Sequence, residues 1–181
     1  VDGAAALLTP PTIARLLRVG EGGLAALEPD GTHSAFLAIG GEGPALASAD
    51  DPRHPIGALR IAATSSDELI RITDRHSYSE AALAMHDRLI RYHEAHGVTF
   101  LLPATTWIDA EVQIGPDTII YPGAVIEGRT DIGGECVIGP HCRIVESNIG
   151  RGAELKGWNY VSRTAIRQRA VLEPHVRRGF D

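Results

Sequence analysis

The chain has 181 residues, 44% of them apolar and 22% charged, enough to bury one medium core or two small ones and unlike either a disordered or a membrane-embedded protein. No window approaches the roughly eighteen consecutive apolar residues of a membrane span, and no basic segment leads into an apolar one at the N-terminus, so a cytoplasmic protein is expected. The formal charge of −6 argues against general nucleic-acid binding, yet residues 151–178 set Arg151, Lys156, Arg163, Arg167, Arg169, Arg177 and Arg178 against only Glu154 and Glu173. That stretch alone is prepared for an anion.

The first seventy residues carry weak signals. Thr9-Pro10-Pro11 followed by Ile13-Ala14-Arg15-Leu16-Leu17 predicts a capped helix with proline in its first turn. Gly20, Gly22 and Gly23 lie too close together for a phosphate loop and lack its lysine, so they read as a turn. Short strands are expected over Leu24–Leu27, Ser34–Ile39 and Leu59–Ala63, with a turn at Asp50-Asp51-Pro52. A clearer helix opens at Ser77-Tyr78-Ser79-Glu80, a capping box, and closes at Gly97. Ala82, Met85, Leu89 and Tyr92 form one stripe on it, and Leu83, His86, Ile90 and His93 the adjoining one. His93 and His96 stand at i, i+3, but no carboxylate or thiol set completes a metal site with His86, so these histidines read as solvated surface.

Beyond the helix the sequence repeats every six residues. Isoleucine occupies 108, 114, 120, 126, 132, 138 and 144; after a five-residue step come Ile149, Leu155 and Val161, and after another Ile166 and Leu172. Four residues after each aliphatic stands a small or slender side chain: Val112, Thr118, Ala124, Thr130, Cys136, Cys142, Asn148, Ala153, Asn159, Ala165, Ala170 and Val176. Proline stands two after the aliphatic at Pro116, Pro122, Pro140 and Pro174, which marks a corner. Neither helix nor ordinary strand repeats at six, whereas a short strand and a corner per unit does, three units closing one coil. Residues 108–177 then make roughly four coils rising ~4.8 Å each, about 20 Å in all. Cys136 and Cys142 become buried small residues of this prism, neither a disulfide framework nor a zinc site. By itself such a repeat builds a scaffold and specifies no chemistry.

The order of these parts resembles a known family. The run Asp67-Glu68-Leu69-Ile70-Arg71-Ile72-Thr73-Asp74-Arg75, the helix to His96-Gly97-Val98-Thr99, and Leu102-Pro103-Ala104-Thr105-Thr106-Trp107-Ile108-Asp109 resemble the domain junction of the bacterial bifunctional N-acetylglucosamine-1-phosphate uridyltransferase/glucosamine-1-phosphate acetyltransferase family. The resemblance implies a remnant of a nucleotidyltransferase-like α/β domain over 1–75, a connecting helix over 76–97 and a left-handed parallel β-helix over 98–181. It also implies the making of UDP-N-acetylglucosamine for the cell wall, with Mg²⁺ and acetyl-CoA as the family's cofactors, and assembly as a homotrimer through the β-helices.

The same resemblance predicts that this chain catalyses neither half reaction. Gly3-Ala4-Ala5-Ala6-Leu7-Leu8-Thr9 looks like the family's metal-binding segment, whose aspartate would fall on Ala4; the second ligand, an asparagine, would fall on Thr73. Alanine cannot bind magnesium and threonine is a poor substitute at a hard-oxygen site. The nucleotide loop, the acetyltransferase histidine and the CoA-binding coils have no counterpart in the sequence, so no catalytic, cofactor or metal residue is assigned. The chain opens on Val1 and reads as a trimmed or degenerate member. Arg177 and Arg178 fall near the family's phosphate-holding arginine and are the candidate contacts for a sugar phosphate or sugar nucleotide. His175 beside them matches no catalytic residue and has no evident orienting partner. Two other readings stay open: a non-enzymatic scaffold for oligomerisation or sugar-nucleotide binding, and a divergent acyltransferase completed by a partner chain.

Overall fold

Every sixth residue is aliphatic because every sixth residue turns inward on the next face of a three-sided prism. The computed structural model describes residues 10–11, 24–28, 35–38, 59–62, 70 and 72–179. The chain divides into two units, Val1–Met85 and His86–Asp181, and each is taken by itself.

In the first unit, strands Leu24–Glu28, Ala35–Ala38 and Leu59–Ala62 stand where strands were expected. They form a three-stranded sheet in which Leu24–Glu28 is central, antiparallel to Ala35–Ala38 and parallel to Leu59–Ala62. Pro10 and Pro11 are helical and exposed. The rest of that predicted helix, the glycine turn at 20–23, the turn at 50–52 and the Ala4 segment lie outside the described residues.

The long helix, Arg75–Ala95, begins two residues earlier than the Ser77 capping box predicts. Asp74 is the cap: its Oδ1 accepts from the Ser77 amide at 2.8 Å, while Ser77 Oγ accepts from the Asp74 and Thr73 amides at 3.0 Å each. The same box geometry is therefore built on Asp74-x-x-Ser77, and these bonds hold the Asp74 carboxyl below its ordinary range. Of the two stripes, the second is the buried one: Ile90 and His93 are inside, whereas Met85 and Tyr92 are exposed. Leu83 departs from its own stripe and is also exposed.

His93 corrects the solvated reading. It is 2% exposed, and burial, with the neighbouring His96 second, pushes its pKa down. His86 is half-buried; its Nε2–H donates to the Thr106 carbonyl at 2.6 Å and its ring stacks on Trp107. Only His96 remains exposed, its Nδ1–H donating to the Tyr92 carbonyl at 2.6 Å. A lowered folded pKa means that the unfolded chain binds the His93 proton more readily. The stability this gives is present above the ordinary histidine pKa and is lost as pH falls through the folded value. The melting midpoint should therefore drop from neutral towards acid pH, and His93→Asn should flatten that drop. An unchanged slope in the variant would contradict it.

The solenoid has more levels than the repeat predicts. Its first face stacks Thr99–Phe100, Ile119–Ile120, Val137–Ile138, Glu154–Leu155 and Val171–Leu172; the second stacks Trp107–Ile108, Val125–Glu127, Arg143–Val145, Tyr160–Ser162 and Arg177–Gly179. Gln113–Ile114, Asp131–Ile132, Asn148–Ile149 and Ala165–Ile166 make the third. All neighbours are parallel. This is nearly five coils rather than four. Two strands are additional: Arg177–Gly179 follows Leu172 in the six-residue phase, whereas Thr99–Phe100, with Phe100 eight residues before Ile108 across a 3₁₀ turn at Pro103–Thr105, falls outside it.

Inside, the aliphatic columns are almost wholly dry: Ile108, Ile120, Ile126, Ile132, Ile138, Ile144, Ile149, Leu155 and Val161 are all fully or nearly fully buried. Each such side chain contributes about 1.5–3 kcal/mol over an exposed one. The slender residues line the three corners, but two assignments shift. At the five-residue steps the corner loses one residue, so Ser147 and Thr164, not Asn148 and Ala165, take the corner position, while Asn148 and Ala165 face out. A ladder of hydroxyls results: Thr130 Oγ1 accepts from the Ser147 amide and Ser147 Oγ from the Thr164 amide, each at 3.3 Å.

Candidate functional site

The basic stretch lies on the upper coils, and the in-register stacking decides what its charges meet. Side chains 16 to 18 residues apart stand one above another, so pairs form between coils: Arg143 with Glu127 at 2.6 Å, Arg163 with Glu146 at 2.9 Å, Lys156 with Glu173 at 2.7 Å, and Arg151 with Glu135. The Arg151 guanidinium, followed by the charge of Arg169, holds the Glu135 carboxyl below the usual range. An acidic neighbour, Glu135, thus faces the stacked Arg151 and Arg169. These pairs are exposed and screened, and fix register more than they add stability.

Arg177 and Arg178 sit on the last described strand, Arg177–Gly179, and both are exposed. Their surroundings differ. Arg177 is in register with Tyr160, its guanidinium 5.2 Å from the ring centroid. Arg178 is in register with Val161 and so continues the inward column of Ile108, Ile126, Ile144 and Val161. It stands six residues after Leu172, in the phase of the aliphatics, and that phase was the sequence signal that could have singled it out.

Beneath Arg177 and Arg178 the corner is fixed by Asn159, which is buried. Its Nδ2–H₂ donates to the Glu173 carbonyl at 2.7 Å, and its Oδ1 accepts from the Gly157 amide at 3.0 Å and from Cys142 Sγ–H at 3.6 Å. Burial pushes the Cys142 and Cys136 thiols up, which makes them inert packing residues. His175 is exposed beside Trp158, with a ring centroid separation of 5.6 Å.

Of the two positions that the resemblance sets against metal ligands, Ala4 lies outside the described residues. Thr73 is exposed, and its amide is engaged by Ser77 Oγ in the helix cap. Among the described residues no group of three His, Cys, Asp or Glu side chains could hold a metal ion, and no helix is long and apolar enough to cross a membrane.

Three-faced parallel coils with a six-residue inward phase make a hexapeptide-repeat solenoid, and a family model, Bacterial transferase hexapeptide (six repeats), matches residues 111–145. The solenoid is a left-handed parallel β-helix. The resemblance to the bifunctional family holds. The chain is 50% identical over 94 residues to the bifunctional protein GlmU of Geobacillus thermodenitrificans, a match covering 52% of this chain and 20% of that protein. It is 40% identical over 124 residues to the bifunctional protein GlmU of Thermoanaerobacter pseudethanolicus, covering 67% and 26%, and 40% identical over 121 residues to that of Clostridioides difficile, again covering 67% and 26%. The match thus spans about a fifth to a quarter of the length of these relatives.

Proposed function

We propose that the chain serves UDP-N-acetylglucosamine synthesis as a GlmU-type β-helix that holds a sugar phosphate at Arg177 and Arg178, and that the 181-residue polypeptide performs no uridyl transfer. The observation that carries the binding half is Arg178 in an otherwise aliphatic column. A guanidinium there gives up apolar packing, and its planar fork suits the oxygens of a phosphate better than any surface role requires. Support for the missing transfer comes from Ala4 and Thr73, which leave a hard cation without carboxylate or amide ligands. A cytoplasmic location, trimeric assembly and acetyl-CoA as the family's acyl donor go with this reading. The scaffold alternative shares the binding half and differs only in having no reaction to serve.

Uridyl transfer is read as pyrophosphate release from UTP and N-acetylglucosamine-1-phosphate with magnesium. The expected rate equals the enzyme-free control. Turnover above that control, abolished by a chelator, would overturn the proposal.

A further inference from the structure

At the corner after the first face, three successive coils carry His141, Trp158 and His175 in left-handed backbone, with φ of 54°, 51° and 64°. Their rings stack along the solenoid axis, Trp158 lying 5.6 Å from each imidazole at 30° and 25°. Two residues further on in each coil stand Arg143, Tyr160 and Arg177, in register, with the guanidinium carbons 5.9 and 5.2 Å from the Tyr160 ring centroid. The residues between, Cys142 and Asn159, turn inward and are buried. The outer surface therefore holds an array two residues wide and three coils high, aromatic in its middle row and basic in the rows below and above.

The other two left-handed corners carry charged side chains, Asp117, Glu135 and Arg169 at one and Glu146 and Arg163 at the other. This one does not. One coil lower the same position is Gly123, with φ of 74°, whereas the upper three use bulky rings in a conformation costing roughly 1–2 kcal/mol per residue. Trp158 is left 51% exposed. Among the described residues, the Glu127 carboxylate pairs with Arg143 at one edge of the array, and that of Glu173, two residues before His175, pairs with Lys156 at the other. Imidazole and indole N–H, phenol O–H and guanidinium are all donors, and the edges of aromatic rings are electropositive.

We propose that this array binds a chain of linked phosphates. The two basic rows are two coils apart, about 10 Å, too far for one phosphate to bridge but within reach of three linked ones. The chain can be free polyphosphate or the triphosphate of a nucleotide, the shared chemistry being a row of anionic oxygens. The inference shares Arg177 with the sugar-phosphate reading but does not rest on it, since Arg178 carries that reading and the histidines take no part in it.

The test follows the two indole N–H signals of the full chain by NMR, that of Trp158 assigned with Trp158→Phe. Inorganic tripolyphosphate, a nucleoside triphosphate and orthophosphate are titrated at equal ionic strength and the same pH. The Trp158 signal should move saturably with tripolyphosphate at an affinity about tenfold or more above that for orthophosphate. His141→Gln and His175→Gln should each weaken this while leaving the melting midpoint unchanged. Comparable movement with the nucleotide assigns the site to any triphosphate, and a stronger nucleotide effect assigns it to the nucleotide. No movement, equal movement with orthophosphate, or parent-like binding by both variants would overturn the inference.

Discussion

Ile126→Asp should abolish cooperative folding of the solenoid near the parent temperature. Ile126 is 0% exposed in the middle of a column, with Ile108 below and Ile144 above in register. The substitution removes an aliphatic side chain and puts a carboxylate where no described donor stands, together costing about 4 kcal/mol or more. For a unit of this size that lowers Tm by about 15 °C or more. Val125→Asp, one residue away on the outer face between Trp107 and Arg143, should cost little, since its charge meets solvent and a cation. Equal midpoints for both variants would mean that the inward phase is misassigned.

Gly133→Ala should be nearly as damaging for a different reason. A Cβ built on Gly133 would lie 2.6 Å from the Arg151 nitrogen and 2.8 Å from its Cα, backbone atoms of the coil above that cannot yield without separating the coils. Gly115 and Gly150, the equivalents below and above, would clash at 2.4 and 2.5 Å, so these three positions require glycine, and only at the top of the column does a side chain stand, Arg167. The expected cost is about 3 kcal/mol. Gly152→Ala separates crowding from conformation: its φ is 70°, but the new Cβ would meet only the Arg169 Cγ, at 3.3 Å. That variant should lose roughly 1–2 kcal/mol, the price of the left-handed region alone. Comparable losses in both proteins, read by denaturant titration, would contradict the close-approach argument.

The inward columns were legible because an aliphatic every six residues has one geometric solution. What the phase could not show were departures from it. Phe100 lies eight residues before Ile108 across the Pro103–Thr105 turn, and the shortened corners exchange Asn148 for Ser147 and Ala165 for Thr164. His93 was misread because nothing in the local sequence tells a covered helix face from a wet one. The left-handed corners at His141, Trp158 and His175 were hidden too, since side chains other than glycine rarely announce that conformation. Arg177 and Arg178 were found through charge and resemblance, but the contrast between an outward Arg177 and a column-bound Arg178 needed the strand register.

The central claim, that a sugar phosphate is held at Arg178, is tested most directly by calorimetric titration of the full chain with glucosamine-1-phosphate, beside Arg178→Gln. The account predicts saturable binding to the parent protein and an affinity about tenfold or more weaker in the variant, with the melting midpoint unchanged or raised, because a neutral side chain sits more easily above Val161. Absence of binding to the parent, or equal affinity in the two proteins, would contradict it.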